Sequence, residues 1–341
     1  MTWSDWMSLC NRRKLPQPQI HSIRPWFALL LALLPSTHRA MSQTTARAAQ
    51  QDAPYNLSLS VDEVGLTLHA ADTHGLPIND LKLDELRLLD NGKPPIKILS
   101  FYSLQDHSIR AGILIDTSES MERDLPANRA IALQYVQLLL RQQTDQAFVI
   151  DFGFVSKIKH SWSSDPAALS ASIRNIAAGQ ENPLGGTAIF DTIFHACFSE
   201  FGKIDHAASG NFIMLFSDGE DNASHTSLQE TVDMCQRSHT AIYAFRPDSS
   251  HGISSTGPRT LADLTSETGG KVFYNDSSEV ELSSDLHIIE ANLRNQYRLI
   301  YKPAELKHDG SFHRIVLTPS DGSGRINSIL TRSGYYAPGH E

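Results

Sequence analysis

Asp116, Ser118 and Ser120 alternate within one short stretch, Ile113-Leu114-Ile115-Asp116-Thr117-Ser118-Glu119-Ser120-Met121. That spacing lets a tight loop turn three side-chain oxygens toward one point. A carboxylate and two hydroxyls are hard donors, suited to Mg²⁺ or Ca²⁺ rather than Zn²⁺. The competing reading is plain helix capping, in which the same Ser and Asp oxygens bond backbone amides. Two later stretches bear on the choice: Gly185-Gly186-Thr187-Ala188 and Phe216-Ser217-Asp218-Gly219. Taken singly, Thr187 is an N-cap after a flexible Gly pair and Asp218 opens an Asp-Gly turn. Taken with the first stretch, they add the third hydroxyl and second carboxylate that an octahedral oxygen site lacks.

The surrounding pattern shows what must hold these residues. Ile109 to Ile115 reads as a buried strand, and Asn211 to Phe216 is a nearly continuous apolar run, as in a strand covered on both faces. Further strands are expected at Ala147–Phe152, Val155–Lys159 (a hairpin partner at a sheet edge), Thr240–Phe245 and Lys271–Tyr274. Helices are expected at Ala127–Leu140, with Ile131, Tyr135, Leu138 and Leu139 as its apolar positions, and at Pro166–Ala177, Ala188–Phe201, Ser227–Ser238, Arg259–Thr268 and Val280–Asn295. Strands alternating with helices at this spacing predict an α/β fold: a doubly wound, mostly parallel six-stranded sheet. Asp116 and Asp218 then fall at carboxyl ends of strands, where such sheets place ligands.

The flanks read as β. Period-2 stretches run over 55–61 and 64–70, Asn91-Gly92 is a strong hairpin signal, and Ile96–Phe101 follows Pro94-Pro95. The tail alternates again at 297–301, 312–317, 328–330 and 334–336. The two flanks are expected to pair into one small sandwich, with the α/β domain inserted between them. The predicted organisation is a leader over 1–48, a β-rich unit over 49–106, the α/β domain over 107–277, and a C-terminal helix with strands over 278–341.

Asp-x-Ser-x-Ser after the first strand, Thr in a Gly-rich loop and Asp-Gly after the fourth strand together resemble a von Willebrand factor type A domain. By that resemblance Asp116, Ser118, Ser120, Thr187 and Asp218 form a metal-ion-dependent adhesion site holding Mg²⁺, with Mn²⁺ and Ca²⁺ as alternatives. The flanks are similar to those of bacterial secreted relatives, through Leu89-Asp90-Asn91-Gly92-Lys93 and Gly334-Tyr335-Tyr336. Glu119 stands where many relatives carry Gly; an extra acid there should strengthen cation binding and oppose an acidic ligand. Rim candidates are Glu119, Glu122, Asn182, Asp221 and Asn222, each otherwise an ordinary solvated loop residue.

Composition narrows the function classes. Hydrophobic residues make up 40% and charged residues 20% of the 341, as in a globular protein, and a net charge of −9 argues against charge-driven nucleic-acid binding. Arg12, Arg13, Lys14 and Arg24 precede the apolar block Trp26–Leu34, which is too short to span a bilayer but fits a secretory signal. Ala46-Arg47-Ala48 offers a cleavage site. Export to a periplasmic or secreted location follows, with no membrane span in the mature chain. Cys10, Cys197 and Cys235 make no disulfide framework; the last two are expected as buried thiols, bridged only if the protein is exported.

Three functions remain from different classes. The leading expectation is an exported, non-enzymatic module that binds a partner's exposed Asp or Glu through the cation, in adhesion or envelope assembly. The alternatives are a metal-dependent hydrolase using the same ion as Lewis acid, and a structural envelope protein whose cation only staples loops.

Overall fold

The computed structural model describes residues 63–104, 108–179, 185–203, 209–247, 256–275, 278–320 and 324–337. The expected leader, the strand at 55–61 and Asn182 lie outside these residues.

Six strands form the main sheet: β4 (Ser108–Asp116), β5 (Gln146–Phe152), β6 (Ser156–Ser163), β7 (Ser209–Phe216), β8 (Thr240–Arg246) and β9 (Val272–Tyr274). Their spatial order is β6-β5-β4-β7-β8-β9, all parallel except the antiparallel edge strand β6. Counted from β4 the order is 3-2-1-4-5-6, so the chain reverses direction across the sheet between β4 and β7. That gap is the topological switch point of a doubly wound sheet.

Side-chain alternation divides the core into two layers. Ile109, Ala111, Ile113 and Ile115 of β4 point to one face with Phe212, Met214 and Phe216 of β7. Leu114, Ile213 and Leu215 point to the other. Gly112 keeps the second face open for Phe148, whose ring would lie 2.6 Å from a Cβ placed there. On the first face pack α1 (Leu125–Gln134), α2 (Pro166–Arg174) and α6 (Glu279–Arg294), the last through Leu282, Leu286, Ile289 and Leu293 at helical spacing. On the second lie α3 (Ile189–His195), α4 (Leu228–Arg237) and α5 (Thr256–Thr268).

Helix α1 does not run on regularly to residue 140. Tyr135–Leu139 is a π-helical turn, closed by the Leu140 N–H on Tyr135 O at 3.2 Å. The wider turn shifts the apolar stripe, so Leu138, expected to face the core, is 64% exposed. A second π turn, Ala196–Glu200, ends α3 and carries Cys197. Cys197 is disulfide-bonded to Cys235 of α4, with their Cα atoms 5.3 Å apart, where free thiols were the first expectation.

The flanks form two antiparallel sheets around a third core. One has the order β12-β1-β10-β3 and the other β13-β11-β2, from β1 (Val64–Ala71), β2 (Leu86–Asp90), β3 (Lys97–Leu104), β10 (Gln296–Lys302), β11 (Phe312–Pro319), β12 (Ser328–Thr331) and β13 (Gly334–Tyr336). Strand β1 pairs β10, and β2 pairs β11, so each sheet combines segments from both sides of the α/β domain. Leu66, Leu68, Tyr297, Leu299, Tyr301, Ile315 and Tyr335 fill the space between.

The Asn91-Gly92 turn forms, with φ of 47° and 78° and paired bonds between Asp90 and Lys93. It does not make a hairpin ladder, however. Pro94 and Pro95 bring no N–H to continue one, and the chain crosses to pair β3 with β10 in the other sheet.

Candidate metal centre

Asp116 ends β4 fully buried, at the switch point. Each of its oxygens has a fixed donor: the Ser118 N–H reaches Oδ1 at 2.9 Å, and the Ser217 hydroxyl reaches Oδ2 at 2.7 Å. The first bond folds the chain back over the carboxylate, and the Ser118 and Ser120 hydroxyls then meet at 3.3 Å. Neither hydroxyl caps the short helical turn Glu119–Met121 that follows. The capping alternative therefore fails for Ser118.

Burial pushes the Asp116 carboxyl up to about 6, opposed by hydrogen bonds from Ser118 and Ser217 and reinforced by the charge of Asp218. Among the described residues, none of the groups that act on it most strongly is a cation. A buried carboxylate beside a second one is costly unless a positive charge joins them.

Asp218 follows β7, and its Oδ1 accepts the Glu220 N–H at 3.0 Å. The turn requires Gly219: φ is 86°, and a Cβ there would lie 2.3 Å from the Gly257 carbonyl. Thr187, 4% exposed, sits just before α3. Its loop is carried to the same end of the sheet by the Ala188 N–H on Gly153 O at 2.8 Å. Gly153 lies between the two neighbouring loops, with Ser118 N and Gly186 O each 3.9 Å from its open Cβ position. The geometry thus joins Asp116, Ser118 and Ser120 directly, ties Asp218 to them through Ser217, and brings the Thr187 loop alongside through Gly153.

Two of the rim residues point elsewhere than expected. Asn222 accepts the Thr187 N–H at 2.7 Å and returns its own N–H to Thr187 O at 3.1 Å. Asp221 Oδ2 accepts the Phe190 N–H at 3.0 Å and the Ser224 hydroxyl at 2.6 Å. Both clamp the Thr187 and Asp218 loops together, Asn222 while still exposed and Asp221 half-buried. Asp191 completes the clamp by accepting the His225 and Thr226 N–H groups. Burial raises its pKa, but those hydrogen bonds bring it down to about 2. Glu119 and Glu122 are exposed, as expected of rim residues. They edge a groove of about 600 Å³ that also meets Ser118, Asp151, Phe154 and Lys157.

Sequence reading missed Ser217, Asp191 and Gly153 as parts of the site. Ser217 carried one signal, a hydroxyl inside the apolar run ahead of Asp218. Among the described residues no three His, Cys, Asp or Glu side chains gather as a metal site. The donor set here is different in kind, two carboxylates with three hydroxyls, and it fits a hard divalent cation.

Residues 112–220 match the family model of the von Willebrand factor type A domain. No curated protein matches the chain. Among solved structures, BatB from Bacteroides thetaiotaomicron is 16% identical with a TM-score of 0.44, over 53% of this chain and 97% of that one. An aerotolerance-related membrane protein from Bacteroides fragilis is 16% identical with a TM-score of 0.44, over 54% and 98%. Proximal thread matrix protein 1 from the mussel byssus, with a zinc-occupied adhesion-site motif, is 14% identical with a TM-score of 0.45, over 60% of this chain and 50% of that one. With the sheet order, the loop placement and the family match in agreement, residues 112–220 of this chain belong to a von Willebrand factor type A domain.

Proposed function

We propose that this protein is an exported binding module in which Asp116, Ser118, Ser120, Thr187 and Asp218 hold a divalent cation that captures a carboxylate of a partner protein. The observation that carries the reading is Asp116: buried, with both oxygens oriented by donors, and with no cation of the described residues among the groups that act on it most strongly. Mg²⁺ suits such oxygen donors, with Mn²⁺ and Ca²⁺ as alternatives. When bound, the ion supplies positive charge and an open position for an Asp or Glu oxygen. The residues of the chain do the rest. Ser118 N–H and Ser217 O–H keep Asp116 in place, and the Asn222 and Asp221 clamps hold the Thr187 and Asp218 loops at fixed separation. Exposed Phe154 and Val155, with Glu119 and Glu122, offer the surface on which a partner would be selected.

The test is calorimetric titration of Mg²⁺ and Mn²⁺ into the wild type and Asp116→Ala, with and without millimolar acetate. One-site binding that is lost with Asp116→Ala supports the reading, and tighter binding in acetate supports carboxylate capture. Silence of the folded wild type in both media overturns it. Export is checked separately by the cell fraction in which the protein is found and by the N-terminus of the mature chain.

A further inference from the structure

At the opposite end of the main sheet, where β7 and β8 begin, a cleft of about 70 Å³ lies between the α/β lobe and the β-sandwich. The α/β lobe contributes Asn211, Gln236, Thr240 and Gly269, and the sandwich contributes His69, Arg298 and Arg332. The two arginines dominate its chemistry. Arg298 lies flat across Gly65, where a Cβ would be 2.3 Å from its Nη2, and its Nη1 donates to Thr67 Oγ1 at 2.8 Å. Arg332 Nη2 donates to the carbonyl of the same Gly65 at 2.9 Å. The two guanidinium groups therefore converge on one glycine, from β10 and from the turn after β12.

Their partners are all neutral. Arg332 bonds Gly65 O and, at 3.5 Å, Gln236 O; its Nε is buried with no hydrogen-bond partner. Glu267 of α5 accepts the Ser333 hydroxyl. Burial lowers the Arg332 pKa to about 10, and the charge of Arg298 adds to the effect. His69 lines the same cleft at 3% exposure, and its Nε2 also has no partner. Two converging, partly desolvated cations without a carboxylate are an expensive arrangement unless an anion completes it. Forked guanidinium groups match the oxygen spacing of oxyanions.

We propose that this cleft binds a small tetrahedral oxyanion of the phosphate or sulfate class, held by Arg298 and Arg332 and seated at the junction of the two lobes. The volume admits one such group and excludes a nucleotide. The site is independent of the metal centre, being built from different residues at the other end of the sheet.

The experiment is thermal melting with calorimetry in metal-free buffer, titrating inorganic phosphate, sulfate, and sodium chloride matched for ionic strength. The expected result is a saturable rise in Tm, about 2–3 °C at ten times Kd, with phosphate or sulfate and not with chloride. Arg298→Met with Arg332→Met should abolish the response. In oxyanion-free buffer Arg332→Met alone should melt no lower than wild type, because it removes an uncompensated charge. If the double variant fails to fold, Arg298→Lys keeps the charge without the fork and should weaken binding about tenfold. A wild type that responds equally to chloride, or a double variant that keeps the phosphate response, overturns the proposal.

Discussion

Ser217 donates its hydroxyl to Asp116 Oδ2 at 2.7 Å, joining the ends of β4 and β7 across 101 positions of sequence. Ser217 Oγ also accepts the Gly219 N–H at 3.1 Å, so one hydroxyl orients a carboxylate and shapes the Asp218 turn. Ser217→Ala should lower Mg²⁺ affinity about 10–100-fold, as loss of an orienting partner does in metal sites. Stability should fall by only about 1–2 kcal/mol. Calorimetry and urea unfolding of the same variant separate the two effects; equal affinity for wild type and variant would remove Ser217 from the site.

Glu119 is exposed at the mouth of the centre, beside Ser118 and Ser120. Glu119→Gly should weaken cation binding slightly, by about threefold, and strengthen acetate binding to the loaded protein by a similar factor, since a screened surface charge acts at this level. Opposite signs for cation and carboxylate are the diagnostic outcome. A variant that changes both in the same direction would mean that Glu119 acts on loop shape instead.

His69 sets a pH limit on stability. Burial holds its pKa down at about 4, against 6.5 in the unfolded chain, so the native state keeps the ring neutral while the unfolded state takes up a proton. The other ionisable groups on its cleft are the basic Arg298, Arg332 and His239 and the hydroxyl of Tyr243, which burial keeps protonated. The contribution is complete above pH 6.5 and is lost as pH falls through that value toward 4, by about 3 kcal/mol in all. Urea unfolding from pH 7 to 4 should show this slope, and His69→Gln should flatten it.

The Cys197–Cys235 bond closes a loop of 38 residues and ties the helix behind Thr187 to the helix behind the Asp218 turn. Reduction should cost about 3–4 kcal/mol by the loop-entropy relation. Because the bonded pair is fully buried, reduction should be slow until the protein is partly unfolded. Thiol trapping over a denaturant series tests both statements.

Asp90 holds the sandwich together. Its Oδ2 accepts hydroxyls from Tyr301 at 2.7 Å and Tyr335 at 2.8 Å, and its Oδ1 lies 2.8 Å from His313 Nδ1. Asp90→Ala should cost about 3–5 kcal/mol, leaving a buried imidazole and two hydroxyls without their acceptor, and Tyr335→Phe about 1–2 kcal/mol. A urea midpoint unchanged by Asp90→Ala would contradict this.

The main sheet was legible because its strands are buried on both faces and so read as apolar runs, as in Asn211–Phe216. The five proposed donors could be nominated from sequence because oxygen chemistry restricts residue types at fixed places. What escaped were relationships between distant loops. Nothing in the sequence tells that Asn222 would hold Thr187, because an Asn in a loop serves equally well in water. The Asn91-Gly92 signal predicted the turn correctly and the pairing wrongly, since a turn residue reports local φ and cannot report which sheet the next strand joins. Likewise the π turn at Tyr135–Leu139 changes helical phase with no residue type that marks it. Asp90 and Tyr335, noted only as parts of two flanking motifs, turn out to be one hydrogen-bonded unit.

Strand β1 has β10 and β12 as its neighbours, and more than 220 residues separate it from either. During synthesis it must wait for them. The α/β lobe, whose strands follow one another closely, can reach its native topology while β1 is still an unpaired ribbon with both edges open. Closure of the sandwich is then the final step of folding, and a chain stalled before residue 296 would present a sticky strand to its neighbours.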